Sequence, residues 1–223
     1  MGKLLSEALR KYLLQVAIDV IGMDKALRIA RDVYEAGAHI IEVGTPLIKC
    51  HGVNAIRRVR EVAKDAIILA DMKTMDVGAL EVKMAMEAGA DASTVLAVAD
   101  DEVIIEALRE ASRFDGDVVV DLISHKDPVS RCKELMKLGV NVVNYHVGID
   151  VQLRRGIRLT DLLDKVTEVV KAFNGVVSLS GGIRPEDLPQ LRKTGAKIFI
   201  IGSAITKSSN PYERAVKALS YLR

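Results

Sequence analysis

A fourfold internal echo constrains this chain more than any other feature. Glu35-Ala36-Gly37-Ala38-His39-Ile40-Ile41 resembles Glu87-Ala88-Gly89-Ala90-Asp91-Ala92-Ser93. Lys137-Leu138-Gly139-Val140-Asn141-Val142-Val143 and Lys193-Thr194-Gly195-Ala196-Lys197-Ile198-Phe199 keep the same form. Each reads as the end of a helix, a glycine C-cap and the start of a strand. The glycines stand 52, 50 and 56 residues apart, which leaves room between repeats for one more strand and two helices. Such alternation predicts a parallel α/β fold.

Apolar runs place eight strands at about 14–19, 39–43, 66–71, 92–97, 117–121, 141–145, 175–179 and 197–201. Amphipathic stretches place helices at about 24–35, 52–63, 78–88, 101–112, 128–138, 159–172, 185–193 and 211–222, and a further helix over 4–12 is expected to plug a barrel floor. Eight βα units in 223 residues predict one (β/α)8 barrel domain spanning 1–223. An open doubly wound sheet is the weaker reading, because no G-x-G-x-x-G opens the first helix.

Composition narrows the function. With no Trp and 4% aromatic residues, the core is aliphatic, as in parallel sheets covered by helices. Thirty-two basic residues nearly balance 30 acidic ones. No basic run or aromatic platform suits nucleic acid, and no apolar run approaches a membrane span. Cys50 and Cys132 lack metal or disulfide spacing, so free thiols and a cytoplasmic setting are expected. No leader or anchor is read at the N-terminus.

In such a barrel the chemistry stands at the C-terminal ends of the strands. Those ends carry Asp19, Glu42, Asp71 and Lys73 with Asp76 just beyond, Asp121 and His146. Side chains alternate along a strand, so Asp71 and Lys73 are expected on one face. Five carboxylates, a lysine and a histidine on one rim are costly unless they meet a cation or a polar ligand. Glu42 and Asp71, on adjacent strands, suit Mg2+, which takes one or two carboxylates plus substrate oxygens and water. The turns Ser180-Gly181-Gly182 and Gly202-Ser203 occupy the usual phosphate position after the last two strands, with Arg184 nearby. His39 belongs at a strand start on the opposite face, and His51 and His125 in loops.

Asp71-x-Lys73-x-x-Asp76 matches the D-x-K-x-x-D signature of the orotidine 5'-monophosphate decarboxylase suprafamily. Within it, Leu14–Asp19, Ile41–Thr45, Leu69–Asp76, Thr94–Asp100, Leu179–Ile183 and Ile201–Thr206 resemble the 3-hexulose-6-phosphate synthase family across nearly the whole chain. The resemblance implies a Mg2+-dependent aldolase joining D-ribulose 5-phosphate and formaldehyde to give D-arabino-hex-3-ulose 6-phosphate, or the reverse. It implies Glu42 and Asp71 as metal ligands and His146 as acid/base. Lys73 would steady an oxyanion, Asp19 and Asp121 would orient hydroxyls or water, and Gly181, Gly182, Gly202 and Ser203 would hold the phosphate. It places Asp76 in the partner's site, hence a homodimer with shared active sites. The similar 3-keto-L-gulonate-6-phosphate decarboxylases usually carry Glu at the position of Asp121 and arginines at those of Ile149 and Ser203. Ser180 departs from a frequent Ala. Decarboxylation of 3-keto-L-gulonate 6-phosphate and a non-catalytic phosphosugar-binding barrel remain as alternatives.

Overall fold

The computed structural model describes all residues, Met1–Arg223. Eight parallel strands close into a barrel in sequence order: β1 (Leu13–Ile18), β2 (Ile40–Val43), β3 (Ile67–Thr74), β4 (Ala92–Leu96), β5 (Asp117–Asp121), β6 (Val142–His146), β7 (Val176–Ser180) and β8 (Ile198–Ile201). β8 returns to β1, with Leu13 opposite Ile198. The expected fold class is therefore present, and no helix is long and apolar enough to cross a membrane.

The four repeat glycines are what make the alternation work. Gly37, Gly89, Gly139 and Gly195 have φ between 88 and 101°, a left-handed backbone that only glycine adopts without steric cost. At the first, Gly37 N–H donates to Tyr34 O and Ala38 N–H to Val33 O. Spare helix carbonyls are satisfied while the chain turns back into the sheet.

Two layers of apolar packing follow from strand alternation. Outward side chains such as Val16, Ile41, Ile68, Val120 and Leu179 join the helices in one large cluster. Inward ones (Leu13, Ile40, Leu69, Val119, Val176 and Ile198) fill the lower barrel together with Leu4, Leu5 and Ala8 of α1 (Lys3–Arg10). α1 thus plugs the floor as expected. Asp117 at the foot of β5 caps it, accepting the N–H groups of Gly2 and Leu5 at 3.1 Å each, where a carboxylate also complements the helix dipole. On the same face His39 Nδ1 accepts the Leu14 N–H at 3.0 Å. Burial, then the charge of Lys11, pushes that imidazole down to about 4.

The outer helices are α2 (Met23–Glu35), α3 (Thr45–His51), α4 (Asn54–Val62), α5 (Gly78–Glu87), α6 (Asp101–Ser112), α7 (Pro128–Lys137), α8 (Ile149–Arg155), α9 (Leu163–Ala172), α10 (Leu188–Leu191), α11 (Ser203–Thr206) and α12 (Pro211–Ser220). Several depart from expectation. The helix expected over 52–63 is preceded by α3, the two separated at Gly52 with φ 62°. His51 therefore ends a helix, its Nε2 donating to Ile21 O at 2.8 Å. The helix expected over 185–193 is broken into a 3-10 turn, α10 and a second 3-10 turn, with Pro189 in the first turn of α10, where its missing N–H is tolerated. α8 and α11 fill βα loops where none was expected.

Candidate active site

The strand ends deliver the polar residues to one mouth. β3 runs to Thr74 rather than ending near Asp71, through a register shift between Ala70 and Thr74. Lys73 sits in that irregularity with φ 49°, a strained state for a non-glycine residue. Its ammonium folds back onto Asp71, 2.9 and 2.7 Å from the two carboxylate oxygens, and reaches Asp121 at 3.4 Å. Asp71 and Lys73 do meet, but across a bulge rather than along a regular strand.

Two threonines that sequence reasoning did not single out fix this pair. Thr94 Oγ1 accepts the Lys73 N–H at 2.9 Å and donates to Asp71 Oδ1 at 2.8 Å. Thr45 Oγ1 lies 2.6 Å from Asp71 Oδ2 and 2.7 Å from its carbonyl oxygen. Thr94 was findable in principle, since strand alternation points it inward beside Asp71. Glu42 is 7% exposed and accepts from Gln15 Nε2 at 2.7 Å; its other oxygen has no hydrogen-bond partner in the chain. Asp19 stands at the lip between the loops after β2 and β8. A Cβ on Gly44 would clash with its Oδ1.

The charges interact strongly. Burial first, then Asp71 and Asp19, raises Glu42 well above the ordinary carboxylate range. The dense rim around Asp19 and then the charge of Asp71 raise that carboxyl as well. Burial alone would lower Lys73, but Asp71, Asp121 and Glu42 outweigh it and hold the ammonium above its usual range. Asp121, only 1% exposed, behaves oppositely. Burial would raise it, yet the hydrogen bond and charge of His146, then Lys73 and the Ile123 N–H, keep it below the ordinary range.

His146 Nδ1 lies 2.9 Å from Asp121 Oδ2. An ionised carboxylate only accepts, so Nδ1 carries the proton and Nε2 is left to exchange one. Asp121, expected to orient hydroxyls or water, is bonded within the chain to His146 and Lys73. Asp76 does not join this cluster: it is exposed, and its Oδ1 accepts the N–H of Val77 at 2.7 Å. His125 Nδ1 accepts the N–H of Asp127 at 3.2 Å.

Across the mouth, Gly181 and Gly182 have φ of 130 and 69°. The main-chain N–H groups of Gly181, Gly182, Ile183 and Gly202 find no acceptor in the chain. Ser203 opens α11, and its side chain is exposed. Ser180 does not line this turn. It points into the barrel and exchanges hydrogen bonds with Asn144 at 3.0 and 3.2 Å.

Comparison with known proteins places this geometry. Residues 12–218 match the orotidine 5'-phosphate decarboxylase / HUMPS family. The chain belongs to that family. It is 40% identical over 198 residues to a 3-hexulose-6-phosphate synthase of Mycobacterium gastri, covering 89% of this chain and 93% of the relative. A crystal structure of a 3-hexulose-6-phosphate synthase superposes with a TM-score of 0.88 at 38% identity, over 95% of this chain and 100% of the other. The 3-keto-L-gulonate-6-phosphate decarboxylase of Vibrio cholerae gives 0.84 at 30% identity, over 95% and 97%. Family members thus share the barrel while differing in chemistry, and the mouth residues must decide between them.

Proposed function

We propose that the chain is a Mg2+-dependent 3-hexulose-6-phosphate synthase, joining D-ribulose 5-phosphate and formaldehyde reversibly. The observation that carries this reading is the Asp121–His146 pair beside Lys73, facing a cradle of unsatisfied N–H groups. The donor set fits a hard cation: Glu42 offers a free oxygen, and Asp19, Glu42 and Asp71 crowd one another with Lys73 as their neighbouring counter-ion. Mg2+ takes one or two carboxylates and completes its sphere with water and substrate. Held by Glu42 and Asp71, it would polarise the substrate's vicinal oxygens.

The residues divide the remaining work. Gly181, Gly182, Gly202 and Ser203 bind the phosphate through their main-chain N–H groups and fix the ketose. His146 Nε2 takes a proton from C1, and the C1 carbanion equivalent forms the new bond to the formaldehyde carbon. The formaldehyde oxygen takes up a proton in the same step, so charge is balanced. Lys73 donates hydrogen bonds to oxygen as negative charge develops there. Asp19, at the lip, orients a substrate hydroxyl.

Decarboxylation of 3-keto-L-gulonate 6-phosphate is the competing reading. Ile149 is exposed on α8 and Ser203 is exposed on α11, so no arginine is offered at either place. On one preparation, kcat/KM for aldol addition is expected to exceed that for decarboxylation by at least about a hundredfold, a difference of roughly 2.7 kcal/mol in transition-state stabilisation. A ratio favouring decarboxylation would reassign the reaction and leave the family intact.

A shared-site homodimer completes the reading. Met75, Val77, Leu80, Met84, Val98 and Ile105 are all exposed. They gather on the loop after β3, on α5 and around α6, and Asp76 sits among them. Apolar patches of this kind mark protein interfaces. If Asp76 serves the partner's site across a two-fold axis, Lys73→Ala and Asp76→Asn are each nearly inactive alone. Mixed and reassembled, they recover about a quarter of wild-type activity, because half the dimers are mixed and each then has one intact site. Demonstrated subunit exchange without recovery would assign Asp76 to its own barrel.

A further inference from the structure

The cradle is braced from behind by the segment that precedes α9. Leu159 N–H donates to Gly181 O at 3.0 Å. Arg158 Nε and Nη2 both donate to Gly182 O, at 3.1 and 2.9 Å. The same guanidinium pairs with Asp187, whose Oδ2 also accepts the N–H of Arg184 at 2.8 Å. Arg158 is itself anchored, its N–H donating to Asp161 Oδ2 at 2.7 Å.

In a trans peptide the C=O and N–H of one unit point in opposite directions. A tether on the Gly181 carbonyl therefore aims the Gly182 N–H away from the brace. A tether on the Gly182 carbonyl does the same for the Ile183 N–H. Neither N–H has an acceptor in the chain. The guanidinium also polarises the peptide whose carbonyl it holds, which makes the Ile183 N–H a better donor. Two glycines at positive φ leave this turn flexible unless something else holds it.

We propose that Arg158 is the positioning residue of the anion cradle. It acts through the Gly182 carbonyl and Asp187 to aim the Ile183 N–H at a phosphate monoester, beside the Gly182 N–H that the Leu159 tether on the Gly181 carbonyl aims, and Ile183 thereby joins the phosphate-binding set. This rests on the phosphate reading of the mouth given above. Lysine does not substitute fully, because one ammonium cannot present a planar fork to a carbonyl and a carboxylate together.

The test measures inorganic phosphate as a competitive inhibitor, alongside KM and kcat for D-ribulose 5-phosphate. Arg158→Met keeps the stem and removes the fork. It is expected to raise the phosphate Ki and the KM together by about tenfold while kcat stays within about twofold. Arg158→Lys should recover part of the loss, and Asp187→Asn should show a smaller loss of the same kind. These two variants carry the test if Arg158→Met fails to fold. Ser203→Asp puts a carboxylate at the cradle itself, on an exposed helix start that tolerates it, and is expected to weaken phosphate more than any of them. If Ser203→Asp weakens phosphate but the Arg158 and Asp187 variants do not, the inference is overturned and the cradle stands. If none of them does, the cradle reading falls and the inference with it. A fall in kcat at unchanged KM would also overturn it, since Arg158 would then act on the reacting atoms.

Discussion

Replacing His146 by alanine lowers kcat for aldol addition by about a thousandfold, within the range of a lost general acid/base, and leaves KM for the phosphoketose nearly unchanged. The imidazole is oriented by Asp121 at 2.9 Å, and in the proposed reaction its Nε2 moves the C1 proton while main-chain N–H groups hold the phosphate, so the loss is expected in the reaction step rather than in binding. Exchange of the C1 proton of D-ribulose 5-phosphate with D2O, followed by NMR without formaldehyde, isolates that step. The His146→Ala protein should bind the sugar and exchange nothing. Asp121→Asn should cost about a hundredfold or more. The amide can donate to Nδ1, which moves the imidazole proton to Nε2 and removes the base, and it also takes a carboxylate from Lys73. Retained exchange in His146→Ala would place the base elsewhere.

The barrel was readable because its punctuation is local. Gly37, Gly89, Gly139 and Gly195 end helices through their own backbone conformation, and most strands begin and end within one residue of the expected bounds. β3 is the exception, since a bulge held by Thr94 from the neighbouring strand carries it on to Thr74. α8 was invisible because it buries no residue and so shows no apolar stripe. α3 and α11 are too short for a periodicity to register.

The mouth was readable as a set of charges but not as a set of pairs. Strand ends identified Asp19, Glu42, Asp71, Lys73, Asp121 and His146 one at a time. That Asp121 belongs under His146 depends on the packing of β5 against β6, which no local signal reports. Thr45, Gln15 and Thr94 escaped because uncharged side chains look ordinary in a strand or at a helix start. Arg158 lies 24 residues from the carbonyl it holds, so its role follows from the fold alone.

The most direct test concerns the metal. Glu42 and Asp71 lie buried near Asp19, and the one ammonium at the site, Lys73, is shared between Asp71 and Asp121. Neighbouring carboxylates repel one another when partly desolvated, and on the proposed reading a divalent cation relieves that repulsion when the site holds a polyoxygenated substrate. Lys73 offers no substitute route. Its carboxylate partners keep it protonated, whereas a Schiff-base lysine must be the free amine. The decisive measurement is turnover of D-ribulose 5-phosphate with formaldehyde in protein freed of metal by a chelator, then resupplied with Mg2+. The account predicts that turnover is abolished by chelation and fully restored by Mg2+. Full turnover in the metal-free protein, with a borohydride-trapped adduct on Lys73, would contradict it.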